Sequence, residues 1–97
     1  MRARVFHAEA NEEYVQAAEY YARIDPELGK RFYDQIEGLI HDIRCEPQRF
    51  RLFDPPIRRH FSKVFPYAVL YVDQADRVLI IAVMHMKRQP GYWRKRL

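Results

Sequence analysis

Ninety-seven residues, 48% hydrophobic and 31% charged, are enough for one domain (1–97) with a modest core, and they exclude a disordered chain. No apolar run approaches the roughly 18 residues of a membrane span, and no stretch of signal-peptide length follows Met1-Arg2-Ala3-Arg4, so the expected location is the cytoplasm, with no membrane partner. The net charge of +4 is uneven: residues 1–48 carry six Lys/Arg against ten Asp/Glu, and residues 49–97 carry eleven against three, a net of +8 that suits a polyanion or an acidic partner.

The segment "RARVFH", Arg2 to His7, alternates basic with apolar residues and predicts a short first strand. From Ala8 the period lengthens. Ala10, Tyr14, Ala17, Tyr21 and Ile24 fall on one face of an amphipathic helix, with Glu9, Glu12 and Glu13 near its N-terminus. Tyr20 lies on another side of that helix. Asp25-Pro26 ends it and begins a second, because Asp25 can cap free N–H groups and Pro26 fits the first helical position. Leu28, Phe32, Ile36, Leu39 and Ile43 keep the helical spacing until Pro47, which predicts a helical hairpin.

After Asp54-Pro55-Pro56, read as a turn or loop, three strands are predicted. They are Ile57 to Ser62, Phe65 to Val72 and Val78 to His85, the last two joined by the hairpin-length Asp73–Arg77. Both of these strands are apolar on both faces, so both are expected to be central; Pro66 fits only near a strand start. The expected fold is α+β, in the order β-α-α-β-β-β, with the helical hairpin packed on a small, mostly antiparallel sheet.

The chain ends "MHMKRQPGYWRKRL", basic and aromatic. His85 is the best acid or base in it, since a free histidine titrates near about pH 6.5. Arg59 and Arg88 suit phosphate, because a guanidinium stays charged and offers paired donors. Strand alternation sets Arg59 and Arg58 on opposite faces, with Arg59 sharing its face with Ile57 and Phe61. Tyr92 and Trp93 have rings that could stack on bases, but Trp93 is expected to fold back as a core anchor, leaving Tyr92 the freer of the two. Arg58, Lys63, Lys87, Arg94 and Arg96 complete the basic set expected to touch nucleic acid. One cysteine and scattered histidines give no metal site, and no cofactor is expected.

The helical hairpin with "EYYARIDPELGKRFYDQIEGLI", the strand "FPYAVLYV" and the closing "VLIIAVMHMKRQPGYWRKR" resemble the RelE/ParE superfamily of bacterial toxins over nearly the whole chain. The most specific parts are Arg59 ahead of Phe65-Pro66-Tyr67, Tyr71, and the closing His85, Arg88, Pro90, Trp93 and Arg96. The resemblance implies the toxin half of a type II toxin–antitoxin pair, often labelled a plasmid stabilisation protein, and a small cognate antitoxin as partner. RelE-like members cleave messenger RNA on the ribosome without a metal, and this is the activity placed first. It would assign catalytic roles to Arg59, His85, Arg88 and Tyr92, with Asp54 or Glu46 as the only acidic candidates for a general base. The alternative is a ParE-like inhibitor of DNA gyrase, without nuclease activity, and a histidine at the His85 position occurs in that branch too. A third reading is a catalytically silent protein that binds an antitoxin or nucleic acid. The chain departs from RelE-like sites in carrying Arg49, Arg51, Arg58 and Arg59, with only Lys63, where several lysines are usual.

Overall fold

In the computed structural model, which describes residues 1–97, His7 opens helix α1 (Ala8–Ile24). Its backbone is extended and its Nδ1 accepts the Glu9 N–H at 3.1 Å. One residue separates α1 from α2 (Pro26–Cys45). As expected from the sequence, Asp25 caps α2, its carboxylate accepting the Glu27 N–H at 3.0 Å, and Pro26 takes the first helical position. At Gly29 the two helices approach closely. A Cβ there would lie 2.6 Å from Cβ of Ala22, so a larger residue would push the hairpin apart.

Ala10, Tyr14 and Ala17 of α1 and Phe32, Ile36, Leu39 and Ile43 of α2 are buried, as their spacing predicts. Tyr21 is half-buried against Phe32 and Phe65. Ile24 departs from the expected stripe and is 61% exposed: it is the last residue of α1, at the hairpin tip, outside the core cluster.

Five strands form one sheet in the order β1-β5-β4-β3-β2. They are β1 (Ala3–Phe6), β2 (Arg51–Asp54), β3 (Ile57–Phe61), β4 (Tyr67–Asp73) and β5 (Arg77–His85). Strand β1 runs parallel to β5, and every other neighbouring pair is antiparallel. The order therefore has one strand more than the sequence predicts. Strand β2 occupies four residues between Pro47 and Pro55, too few to display a period, and it forms only as the sheet edge beside β3. Strands β4 and β5 are central, and Pro66 stands just outside β4.

The sheet carries a core on each face. Val69, Tyr71, Val78, Ile80 and Val83 pack beneath the helices with Phe32, Ile36 and Ile43. Ile57, Ala68, Leu70, Ile81, Ala82 and Met84 face the other way and are covered by Trp93. Alternation along β4 is unbroken, but β5 has a bulge: Leu70 pairs with Ala82 and Tyr71 with Ile80, so Ile81 has no partner. Ile81 and Ala82 both project away from the helices, and every later residue of β5 changes sides.

Candidate functional site

The bulge decides where the expected catalytic residues go. Counted from Val78 without it, His85 would share a face with Arg59. With it, His85 pairs with Tyr67, and its ring lies 5.0 Å from the Tyr67 ring on the helix side. Arg59 pairs with Leu70 and projects from the opposite face. The assignment of Arg59 and His85 to one catalytic set is therefore corrected, while Arg88 borders the surroundings of both. The sheet itself separates His85 from Arg59.

On the tail-covered face, Arg59 sits between two rings, its Cζ 4.4 Å from the Phe53 centroid and 4.7 Å from that of Phe61. Its Nε is buried without an acceptor. It lines a cavity of about 150 Å³ together with Phe53, Met84, Met86, Arg88 and Trp93. Trp93 is 2% exposed, packs edge-on to Phe53 at 5.5 Å, and has an unpartnered Nε1–H. The sequence-based reading of Trp93 as a core anchor matches this position. Asp54, the nearest acidic candidate for a base, is already held by Arg94 Nε at 2.9 Å.

On the helix side, His85 lies in a depression of about 300 Å³ lined by Glu13, Tyr20, Tyr67 and Arg88. Its Nδ1 accepts the Lys87 N–H at 3.0 Å, which turns the chain out of β5. Glu46, the other acidic candidate, closes α2 and pairs loosely with Arg49 at 3.5 Å.

Where β1 ends, β5 continues without a neighbour on that side, and a side-chain ion pair takes its place. Glu13 Oε1 accepts the Val83 N–H at 3.1 Å, and Arg96 Nη1 donates to the Ile81 carbonyl at 2.9 Å. Glu13 and Arg96 bind each other through two bonds of 2.9 and 3.0 Å, and Arg96 Nε reaches Glu9 at 2.9 Å. Only 6% of the Arg96 side chain is exposed. Arg96, expected from the sequence to meet nucleic acid, is thus placed as the anchor that ties the tail to α1. Tyr92 lies between two guanidinium groups, Arg88 Cζ at 3.8 Å and Arg96 Cζ at 4.9 Å. Its hydroxyl is buried without a well-formed hydrogen bond; burial first, and the Glu13 carboxylate second, push it well above the usual tyrosine range. That phenol is neither free nor easily ionised.

Of the remaining cations, Arg58 donates to the carbonyls of Gln48 and Phe50 at 3.2 and 2.9 Å and so braces the chain entering β2. Lys63 and Lys87 are exposed. No cluster of His, Cys, Asp and Glu could hold a metal ion. The geometry offers two arginines on one cavity, a histidine on the other side of the sheet, and a tail latched between them.

The profile of the ParE toxin of type II toxin–antitoxin systems, parDE, matches residues 5–90. The chain belongs to the ParE toxin family. Its fold is similar to a solved structure titled "Chromosomal ParDE TA system from P. aeruginosa", with a TM-score of 0.75 at 12% identity, covering 88% of this chain and 96% of that one. No curated protein sequence matches it. The chain is a type II toxin–antitoxin toxin of the ParE family, and the match fits the ParE-like branch rather than the RelE-like branch placed first.

Two contributors in this ParE-family toxin escape sequence reading. Glu13 reads as one of three acidic residues favouring a helix N-terminus, and nothing local points to Arg96, 83 residues away. Phe53, which holds Arg59 from one side, belongs to the unrecognised strand β2. The alternation Ile57, Arg59, Phe61 did carry the second ring, since both phenylalanines flank one guanidinium.

Proposed function

We propose that this toxin arrests growth in the cytoplasm by inhibiting DNA gyrase in the ParE manner, without cutting RNA, and that a small acidic antitoxin restrains it. The observation that carries the reading is the division of the would-be catalytic set by the sheet. Cleavage by a 2′-hydroxyl needs a base, an acid and cations around one phosphate. Here Arg59 and His85 project from opposite faces, the Tyr92 hydroxyl is buried near Glu13, and Asp54 is occupied by Arg94. The family match supports the same branch. The basic C-terminal half supports an acidic partner.

The test is direct. Purified protein added to gyrase and relaxed plasmid is expected to block supercoiling, and its induction is expected to make cells filament and mount a DNA-damage response. Primer-extension maps after induction are expected to show no new cuts within codons. Message cut at codons with supercoiling unchanged would overturn the reading and restore RNA cleavage.

A further inference from the structure

Arg59 is unlike the other half-buried cations of the chain. Arg2, Arg4 and Arg96 are each paired with a carboxylate, at 2.8, 2.7 and 2.9 Å. Arg58 has two carbonyl acceptors. Arg59 enters no ion pair, its Nε–H is out of water with no acceptor, and its charge lies over two phenyl faces. A desolvated donor of this kind is costly unless an acceptor arrives from outside. Its cavity also includes Trp93, whose indole N–H is likewise unpartnered. The larger cavity between β1 and the helices, about 310 Å³, differs in this respect: its Arg4 and Tyr14 hydroxyl are both satisfied by Glu37 at 2.7 Å.

We infer that the Arg59 cavity is a receptor for one carboxylate on an apolar stem, supplied by an acidic segment of a protein partner. The guanidinium presents a planar fork that matches a carboxylate, and the indole N–H is a further donor in the same wall. Phe53, Met84, Met86 and Pro90 line the rest, which suits the methylenes of a glutamate or the last side chain before a free C-terminus. About 150 Å³ admits one such side chain and not a nucleotide. The net of +8 in residues 49–97 draws an acidic segment to this half of the chain. The occupant rests on the reading above, in which the partner is an acidic antitoxin; the carboxylate chemistry of the cavity does not.

The chain has one tryptophan, so the Trp93 indole signal and the Arg59 Nε–H signal can report on the site by NMR. The probes are acetyl-Leu-Glu-Leu-amide, its Gln counterpart, acetyl-Leu-Leu with a free carboxylate, and a short thymidine oligonucleotide. The glutamate peptide or the free-carboxylate peptide is expected to shift both signals saturably, and the tighter of the two identifies the source as side chain or chain end. The Gln peptide is expected to leave them in place. Arg59→Gln, and Arg59→Lys, which keeps the charge but loses the fork, should each weaken binding about tenfold or more. Lys87→Gln, on the exposed tail, should change it less than about twofold. Thermal melts confirm that each variant is folded, and the lysine variant alone suffices if the glutamine one is not. Equal shifts with the Gln peptide, an equal loss in Lys87→Gln, or saturation by the oligonucleotide in place of the carboxylate would overturn the inference. Gyrase inhibition is measured without a partner, so either result can fail while the other stands.

Discussion

The helix-covered face of the sheet and the tail-covered face are closed by different means. Fourteen buried residues, with Phe32 and Phe65 edge-on to each other and the half-buried Tyr67 against Phe32, close the first, and two helices with 17 and 20 residues spread the load. Seven buried residues close the second, and the cover is a short tail held by one indole and by the ion pairs of Arg94 with Asp54 and of Arg96 with Glu9 and Glu13. Area secures the first face, whereas a few specific contacts secure the second. The Arg59 cavity and the unpartnered Arg59 Nε–H lie on the side with the lighter cover. A face built this way can expose binding groups without threatening the main core.

The largest effects should separate the two covers. Phe32→Ala and Trp93→Ala each remove a fully buried ring and are expected to cost about 3–5 kcal/mol. Urea unfolding would measure the totals. Hydrogen exchange would then divide them, with Phe32→Ala loosening the whole sheet and Trp93→Ala chiefly β5 and the tail. Identical exchange maps would mean that the two faces unfold as one unit.

Glu13→Ala comes next. It leaves Arg96 buried with only Glu9 as a carboxylate partner, and a loss of about 3 kcal/mol is expected by chemical denaturation. Replacing both members, Glu13→Leu with Arg96→Met, should recover much of that loss, since no charge is then stranded. A double variant as weak as the single one would show that the backbone bonds to Val83 and Ile81 matter more than the charges.

A smaller effect belongs to the helix side and depends on pH. Tyr71 donates to the Pro47 carbonyl at 2.6 Å, and burial pushes its phenol up to about 12. The folded protein holds this proton more tightly than the unfolded chain, whose tyrosines titrate near 10. The stabilisation is therefore complete below about pH 10 and is lost as pH rises towards 12, about 2–3 kcal/mol in all. Urea midpoints measured across that range should fall, and the fall should be shallower in Tyr71→Phe.

The smallest effect is expected at His85. It is half-exposed at the end of β5, with one ring contact to Tyr67 and one local hydrogen bond from the Lys87 N–H, so His85→Ala should change stability by less than about 0.5 kcal/mol. Gyrase inhibition should survive it. A loss of toxicity with an unchanged melting point would bring His85 back as a functional group.

How much of this was legible follows from the distance over which each signal acts. Asp25-Pro26 marks a helix boundary in two adjacent residues, and the stripes through Phe32 and Ile36 repeat often enough to be read. The Arg59–Phe61 face follows from strict alternation within one short strand. The side taken by His85 was not legible, because one unpaired residue, Ile81, reverses the count and nothing in "VLIIAVMH" distinguishes it from its neighbours. Nor was the role of Arg96, since its partner Glu13 lies 83 residues away in the chain. Strand β2 was missed because four residues beside prolines become a strand only when β3 offers an edge.

The Glu13–Arg96 pair has a bearing on solubility. Beyond Phe6 the longest strand of the sheet would show solvent a free carbonyl at Ile81 and a free amide at Val83, the pattern on which a second chain adds a strand and begins to aggregate. The two charged side chains cap those groups with ions that no incoming backbone can easily displace. A chain shortened by its last two residues would lose a stopper as well as an anchor, and it is expected to precipitate before it unfolds.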